Sequence, residues 1–431
     1  MKGDSLHNCE IHLKDITKIE GHATLDVTVR NKEVKSVKFA VTENRRFFEN
    51  LITGQNYKDI PGIVGRICGF CSIAHMLASV HTIEDAFNVE PSTQTLLLRE
   101  LLAHAGTLKS HALHLYFLAL PDYLGKESAL DFNKKEHEYI HQALRLKRTG
   151  TDMLKAIGRR GLHSLPLRPG GFSALPPEQE LSDLRKILLN ARKDAEETVE
   201  LFANLNSKFE FSHDTNYIAL TGKGYCIACG NVTASNGVTF TNKEYSKYLK
   251  ETDVPHSTAK QAKFFGKDFM VGSLARMNIN HKELSKPVKS KMHALGIKFP
   301  QHNPFSNNLA QALEIMQSLE SAIEIIDNLK IRKEALPKIK PSSATGYGLT
   351  EAPRGTLYHE YTFNSSGAAT SSNIIVPTSQ NQIRIEKDVA EYLPSLLQLP
   401  QKQIELELEK LIRAYHPCIS CATHFLKVNW N

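Results

Sequence analysis

The chain has 431 residues, 41% apolar and 23% charged, with 53 Lys and Arg against 46 Asp and Glu. A chain of this length buries about three quarters of its unfolded surface, so its core needs no disulfide support. The net charge of +7 is spread along the sequence without the clustered basic stripe of a nucleic-acid binder. No apolar run approaches the roughly 18 to 20 residues of a membrane span, and the start, MKGDSLHNCEIHLKD, lacks the apolar stretch of a secretory signal. The expectation is a cytoplasmic protein with neither a nucleic-acid partner nor a membrane span.

In chain order, residues 10–42 read as strands, from the alternation in ATLDVTVRNKEVKSVKFAV and a polar turn at Asn31-Lys32. Residues 72–87 carry Ile73, Met76, Leu77 and Val80 at helical spacing. Residues 92–118 predict a long helix, buried on most sides, that Pro121 ends. Further helices are expected in 132–160, 176–206 and 306–330, and loops at 171–177 and 340–348 from their Gly, Pro and Ser content. Residues 210–241 predict a β-hairpin region turning at Ser235-Asn236-Gly237. A last helix, 402–415, must stop near His416, because Pro417 disfavours helical geometry in the residue before it. No repeat or linker divides the chain, so residues 1–431 are expected to share one core as a single domain.

Six of the seven cysteines fall into three C-x-x-C pairs, a pattern that points to metal or redox chemistry rather than a disulfide framework. Cys68 and Cys71 open the helix at 72–87, where free N–H groups and the helix dipole favour thiolates. Cys418 and Cys421 lie near the other end of the chain. Four thiolates from opposite ends form a soft donor set that suits zinc, an iron–sulfur cluster or a nickel-containing centre, and spacing alone does not choose among them. The middle pair, Cys226 and Cys229, falls in the expected hairpin, where residues three apart face opposite sides, so joint ligation needs a turn. These two read as incidental cysteines, with a surface disulfide or metal clip as the lesser reading, and Cys9 reads as a lone thiol.

The company of these pairs narrows the choice. ITKIEGHATLDV (16–27), RRFFENLITG (45–54), RICGFCSIAH (66–75), FMVGSLARMN (269–278), EAPRGTLYHEY (351–361), IIVPTSQN (374–381) and HPCISCATH (416–424) occur in that order. The series resembles the signature blocks of the nickel–iron hydrogenase large subunit, over nearly the whole chain. EAPRG, the SCATH ending and the compact length are most similar to the cytoplasmic bidirectional branch, coupled to NAD(P), F420 or a similar carrier. The resemblance implies a mixed, mainly α fold with a central buried helix bundle and peripheral β-sheet. It also implies reversible heterolytic cleavage of H2 at a nickel–iron centre carrying CO and cyanide.

Carried over residue by residue, the resemblance makes Cys68 and Cys418 terminal ligands of nickel and Cys71 and Cys421 bridges to iron. Arg354 would sit over the open site, with the backbone after Pro353 and the hydroxyl of Thr378 against the diatomic ligands. Glu20 would relay protons beside Cys418, and Glu49, the carbonyl of Ile374 and His424 would hold a divalent ion, Mg2+ or else Fe2+ or Mn2+. Implied partners are an iron–sulfur small subunit, flavin or further iron–sulfur electron-transfer subunits, and a maturation endopeptidase that removes residues 425–431. Two positions depart from the family pattern: His416 stands where an Asp usually precedes Pro-Cys, and Leu108-Lys-Ser110-His111 lacks a carboxylate often found there. Both changes remove groups that would orient Arg354. His75, His104, His111 and His114 read as core or supporting histidines. The alternative reading is a non-catalytic or H2-sensing relative acting as a binding or scaffold subunit.

Overall fold

The computed structural model describes residues 8–206 and 209–424; the expected cleavable tail, 425–431, lies outside the described residues. The strand Ala23–Arg30 buries Ala23, Leu25, Val27 and Val29 on one face, as its period of two dictates. It pairs antiparallel with Asn8–Leu13 and Glu33–Val41. Asn31 and Lys32 both adopt positive φ, +54° and +64°, at the turn between the second and third strands, the geometry that matches the right-handed twist of a hairpin.

Helices form the interior. Ser72–Phe87 and Ser306–Asn328 are buried around most of their circumference. Thr93–Leu113, capped by Ser92 Oγ accepting from the N–H of Thr95 (3.0 Å), packs against both His137–Gly158 and Ser306–Asn328. The expected helix over 176–206 is two, Glu178–Asn190 and Arg192–Asn206. Pro121 does not end its helix. The chain passes from Leu113 through a π-helical turn, His114–Ala119, into Leu120–Tyr123, with Pro121 in the first turn of that segment. The wider turn shifts the hydrogen-bond ladder to where the missing proline N–H costs no bond.

A second correction concerns 340–348. Ala344–Ala352 is a strand, paired with Gly355–Phe363, which pairs in turn with Ala369–Ile375, all antiparallel. Its glycines serve close approach, not a loop: a Cβ on Gly346 would stand 2.1 Å from the carbonyl oxygen of Thr82, and one on Gly348 2.1 Å from that of Ala78. The sheet therefore lies directly on the backbone of Ser72–Phe87. Within the expected loop at 171–177, Gly171–Phe172 forms a short strand with Leu167–Arg168. Asn216–Thr221, Asn231–Ala234 and Thr239–Phe240 form the expected hairpin region, with Gly237 at φ +88° in its turn. The helix before Pro417 spans Gln401–Ala414, and one further helical turn, Ile419–Ala422, follows it. One hydrophobic cluster draws on residues from Ile11 to Ala422.

Candidate metal centre

The two outer cysteine pairs arrive from opposite directions. Cys71 caps the helix Ser72–Phe87 and Cys418 caps Ile419–Ala422. Three contacts hold the C-terminal segment in place. Glu20 forms a parallel bridge with Cys418, the N–H of Ile419 donates to the Glu20 carbonyl (2.9 Å), and the N–H of Cys418 donates to Thr378 Oγ1 (2.9 Å). Arg46 joins the two pairs, its guanidinium donating to the carbonyls of both Ile67 and Ser420. The sulfurs of Cys68, Cys71, Cys418 and Cys421 lie within 4.8 Å of one another, all buried. Cys68 and Cys418 are 3.4 Å apart, and Cys418 and Cys421 3.0 Å.

Four such sulfurs cannot all ionise unaided. Hydrogen bonds from Cys418 and Cys421, with the charge of Arg354 adding to them, hold the Cys71 thiol well below its ordinary value. Burial and the neighbouring sulfurs push Cys418 and Cys421 well up. A cation bound among them would remove that conflict, and the soft, convergent donor set fits nickel and iron.

Around this cluster stand most of the residues expected from sequence. Glu20, half-buried, accepts through Oε2 from Cys418 Sγ (3.2 Å) and from the N–H of Ser420 (2.9 Å). Gly21 at φ +88° makes this docking feasible, since a Cβ there would stand 2.5 Å from that of Ile419. Arg354, 3% exposed, donates from Nη1 to Cys71 Sγ (3.2 Å) and more weakly to Ser110 Oγ (3.5 Å), with its guanidinium over the Phe70 ring. The Pro353 carbonyl turns to Arg276 Nη2 (2.9 Å).

Glu49, Ile374 and His424 also converge. Glu49 Oε1 accepts the N–H of Ile374 (2.9 Å) and lies 3.5 Å from His424 Nε2, which is 2.7 Å from the Ile374 carbonyl. His424 Nδ1 faces the Cys421 carbonyl (2.6 Å), so the second group adjoins the first. Burial lowers the His424 value, but Glu49 outweighs it and the net shift is upward. One carboxylate oxygen, one carbonyl and one imidazole form a donor set that suits a hard divalent ion.

The histidines are buried and hydrogen-bonded. His75 meets His359 (3.1 Å), His111 donates from Nε2 to Glu314 Oε2 (2.7 Å), and His114 donates from Nε2 to the Arg413 carbonyl (2.9 Å). His416, at φ +55°, stacks on His114 with ring centroids 3.8 Å apart. Burial drives His416 well below the ordinary histidine range, so it stands neutral where the family pattern places a carboxylate. Cys226 and Cys229 sit in the loop between Thr221 and Asn231 rather than in a strand; Cys226 is half-buried and Cys229 exposed, and burial, followed by the Glu100 charge, pushes the Cys226 thiol up to about 12. Sequence reasoning missed Arg46, Arg276 and Glu314, whose contacts link distant segments; the sole signal was that Arg46 and Arg276 fall inside the recurring blocks.

Four buried cysteine sulfurs, two from each end of a mainly helical chain with an arginine against them, define a protein built around a soft-metal thiolate site. The family described as nickel-dependent hydrogenase matches residues 46–163 and 231–424, and the chain belongs to that family. It is 34% identical to sulfhydrogenase 1 subunit alpha of Pyrococcus furiosus, covering 97% of this chain and 98% of that one. It is 32% identical to sulfhydrogenase 2 subunit alpha of the same organism, over 97% and 100%. Its fold matches a structure described as an NAD+-reducing [NiFe]-hydrogenase in the H2-reduced state, with a TM-score of 0.83 at 23% identity over 96% of this chain and 99% of that one. The chain is thus a hydrogenase large subunit, an oxidoreductase acting on H2, with four cysteines positioned for the metal centre.

Proposed function

We propose that Cys68, Cys71, Cys418 and Cys421 would hold a nickel–iron centre carrying CO and cyanide, Cys68 and Cys418 as ligands of nickel alone and Cys71 and Cys421 as ligands shared with iron. The observation that carries this reading is the four-sulfur cluster itself. When bound, the centre supplies a soft, redox-active site at which H2 splits heterolytically and reversibly. The protein's own residues do the rest. Glu20 Oε2, 3.2 Å from Cys418 Sγ and half-buried, takes the proton from that sulfur and passes it toward solvent. Arg354 offers positive charge and donors above Cys71, and its enclosure keeps water away. The backbone after Pro353 and the hydroxyl of Thr378 would line the diatomic ligands. Glu49, Ile374 and His424 hold Mg2+, or Fe2+ or Mn2+ in its place, and thereby fasten the C-terminal segment.

Among the described residues the four cysteines are the one group of three or more His, Cys, Asp or Glu side chains close enough to hold a metal. Electrons therefore leave through a partner, an iron–sulfur small subunit, and then through flavin or further iron–sulfur subunits to a soluble carrier. None of the seven cysteines is in a disulfide, which suits a reducing compartment, and we assign the chain, working as one domain, to the cytoplasm. His424 is buried, and its carbonyl accepts from the N–H of Glu49 (3.2 Å). A maturation endopeptidase cuts directly after His424 and removes residues 425–431.

The test replaces Cys68 with Ser and, separately, Cys226 with Ala. The first should lose nickel and H2 turnover, because oxygen is a harder ligand, and the second should keep both. A Cys68 variant that turned over H2 normally would overturn the assignment. Wild-type chain loaded with nickel but inert toward H2 would support the non-catalytic reading instead.

A further inference from the structure

Arg354 is loosely held by its own side chain. Its guanidinium meets a sulfur, a serine at 3.5 Å and the Phe70 ring, its Nε has no partner, and no carboxylate pairs with it among the described residues. Its position must therefore come from the backbone that carries it, and Arg276 grips that backbone where the strand pairing of Ala352 with Gly355 turns. Arg276, 1% exposed, donates from Nη1 to the Ala352 carbonyl (3.1 Å) and from Nη2 to the Pro353 carbonyl (2.9 Å), the two residues just before Arg354.

Arg276 is itself over-determined. Its Nε and Nη2 meet both oxygens of Glu314 (2.5 and 2.8 Å), its Nη1 meets Glu351 Oε2 (2.7 Å), and Nη2 also reaches Ser273 Oγ (3.1 Å). All five N–H donors of the fork are engaged, a pattern lysine's compact ammonium cannot reproduce. Glu314 stands on the buried helix Ser306–Asn328 and Glu351 on the strand leading to Arg354, so the fork ties a rigid helix to the site. Glu314 Oε2 also accepts from His111, the neighbour of Ser110, and Oε1 from the hydroxyl of Tyr225 (2.5 Å). The helix thus reaches Arg354 along two paths.

We propose that Arg276, held by Glu314 and Glu351, is a positioning residue that sets where the Arg354 guanidinium stands over the cysteine cluster by clamping the carbonyls of Ala352 and Pro353. The clamp takes over the orienting task left open by the absence of a carboxylate at Ser110 and at His416. It rests on the reading that Arg354 faces the nickel–iron centre, so Arg354→Lys is the control.

The experiment uses the assembled holoenzyme and reads the infrared bands of the CO and cyanide ligands, nickel per chain, and kcat with KM for H2. Arg354→Lys should shift the cyanide bands and reduce kcat; if neither changes, the role of Arg354 is wrong whatever Arg276 does. Arg276→Lys should shift the same bands and lower kcat about 10- to 100-fold, the penalty for misplacing a catalytic group by about 1 Å, with KM and nickel unchanged. In the Arg354→Lys background, Arg276→Lys should add almost nothing, because the group it positions is gone. Full additivity of the two losses, or unshifted bands with wild-type kcat in Arg276→Lys alone, would overturn the clamp. If Arg276→Lys fails to load nickel, Glu351→Gln decides: it keeps the contacts but loosens the grip, so shifted cyanide bands support the clamp and wild-type bands refute it.

Discussion

Replacing Glu20 with Gln tests the proton route with little disturbance. The amide oxygen keeps an acceptor for the Ser420 N–H, now 2.9 Å from Oε2, so the structural loss is the difference between a charged and a neutral hydrogen bond, about 1 kcal/mol. That is too little to unseat a segment also held by the backbone bridge to Cys418, Thr378 Oγ1 and Arg46. The catalytic loss is of another size. Removing a positioned acid–base group costs about 10²- to 10⁴-fold, or roughly 3 to 5 kcal/mol of barrier. H2-dependent dye reduction and exchange of D2 with water should therefore both fall by two orders of magnitude or more, while nickel per chain stays at the wild-type level. Turnover near wild type would show that protons leave by another way. Loss of nickel would show that Glu20 is structural.

Gly348→Ala should destabilise the chain by about 1–3 kcal/mol or more, because its Cβ would stand 2.1 Å from the Ala78 carbonyl and 2.2 Å from Thr82 Oγ1. Gly62→Ala, with nothing nearer than 3.8 Å, should be tolerated, and a comparison of soluble yield and thermal midpoint checks both. Burial pushes Glu100 up to about 7, although the N–H groups of Ile227 and Ala228 bond to its oxygens (2.7 and 3.0 Å). A carboxyl raised in the folded state binds more protons there than in the unfolded chain, so its contribution is full below the ordinary carboxylate range and is lost as pH rises toward 7. That loss is about 3 kcal/mol, and Glu100→Gln should flatten the fall in urea midpoint across this window; an unchanged slope refutes the assignment. Active chain should end at His424 by intact mass and lack Trp430, the only tryptophan. Active, nickel-loaded protein still ending at Asn431 would refute tail removal.

The N-terminal strands, the helix after Cys71 and the stop before Pro417 were legible because each rests on local chemistry: alternation, helical spacing and the clash of a proline ring with a helical residue before it. The pairing of the outer cysteines was legible from residue type and from the blocks around them. The strand Ala344–Ala352 was not. Gly346 and Gly348 read locally as loop formers, and only the nearby carbonyls of Thr82 and Ala78 show that they are there for want of a side chain. The π-helical passage through Pro121 was hidden for a related reason: proline removes a donor, but the surrounding turn decides whether the loss matters. Arg46 and Arg276 were hidden because their partners are backbone carbonyls and carboxylates far along the chain, which leave no spacing to detect.

The geometry also bears on how the centre is assembled. Cys68 and Cys71 stand at the start of the helix Ser72–Phe87, on which the sheet Ala344–Ile375 packs. Cys418 and Cys421 reach the cluster only if residues 416–424 dock on Glu20, Thr378, Arg46 and Glu49. Those docking contacts are a handful of hydrogen bonds, each worth about 1 kcal/mol. Within the cluster of four sulfurs the values of Cys418 and Cys421 are raised, so a metal that takes them as thiolates must displace their protons. A metal bound by all four cysteines would add its own stabilisation to these few hydrogen bonds, so loading the site and holding the segment closed would be coupled. The proposed divalent-ion site would strengthen this coupling, because His424 and Glu49 join the end of the segment to the part of the chain that precedes Cys68.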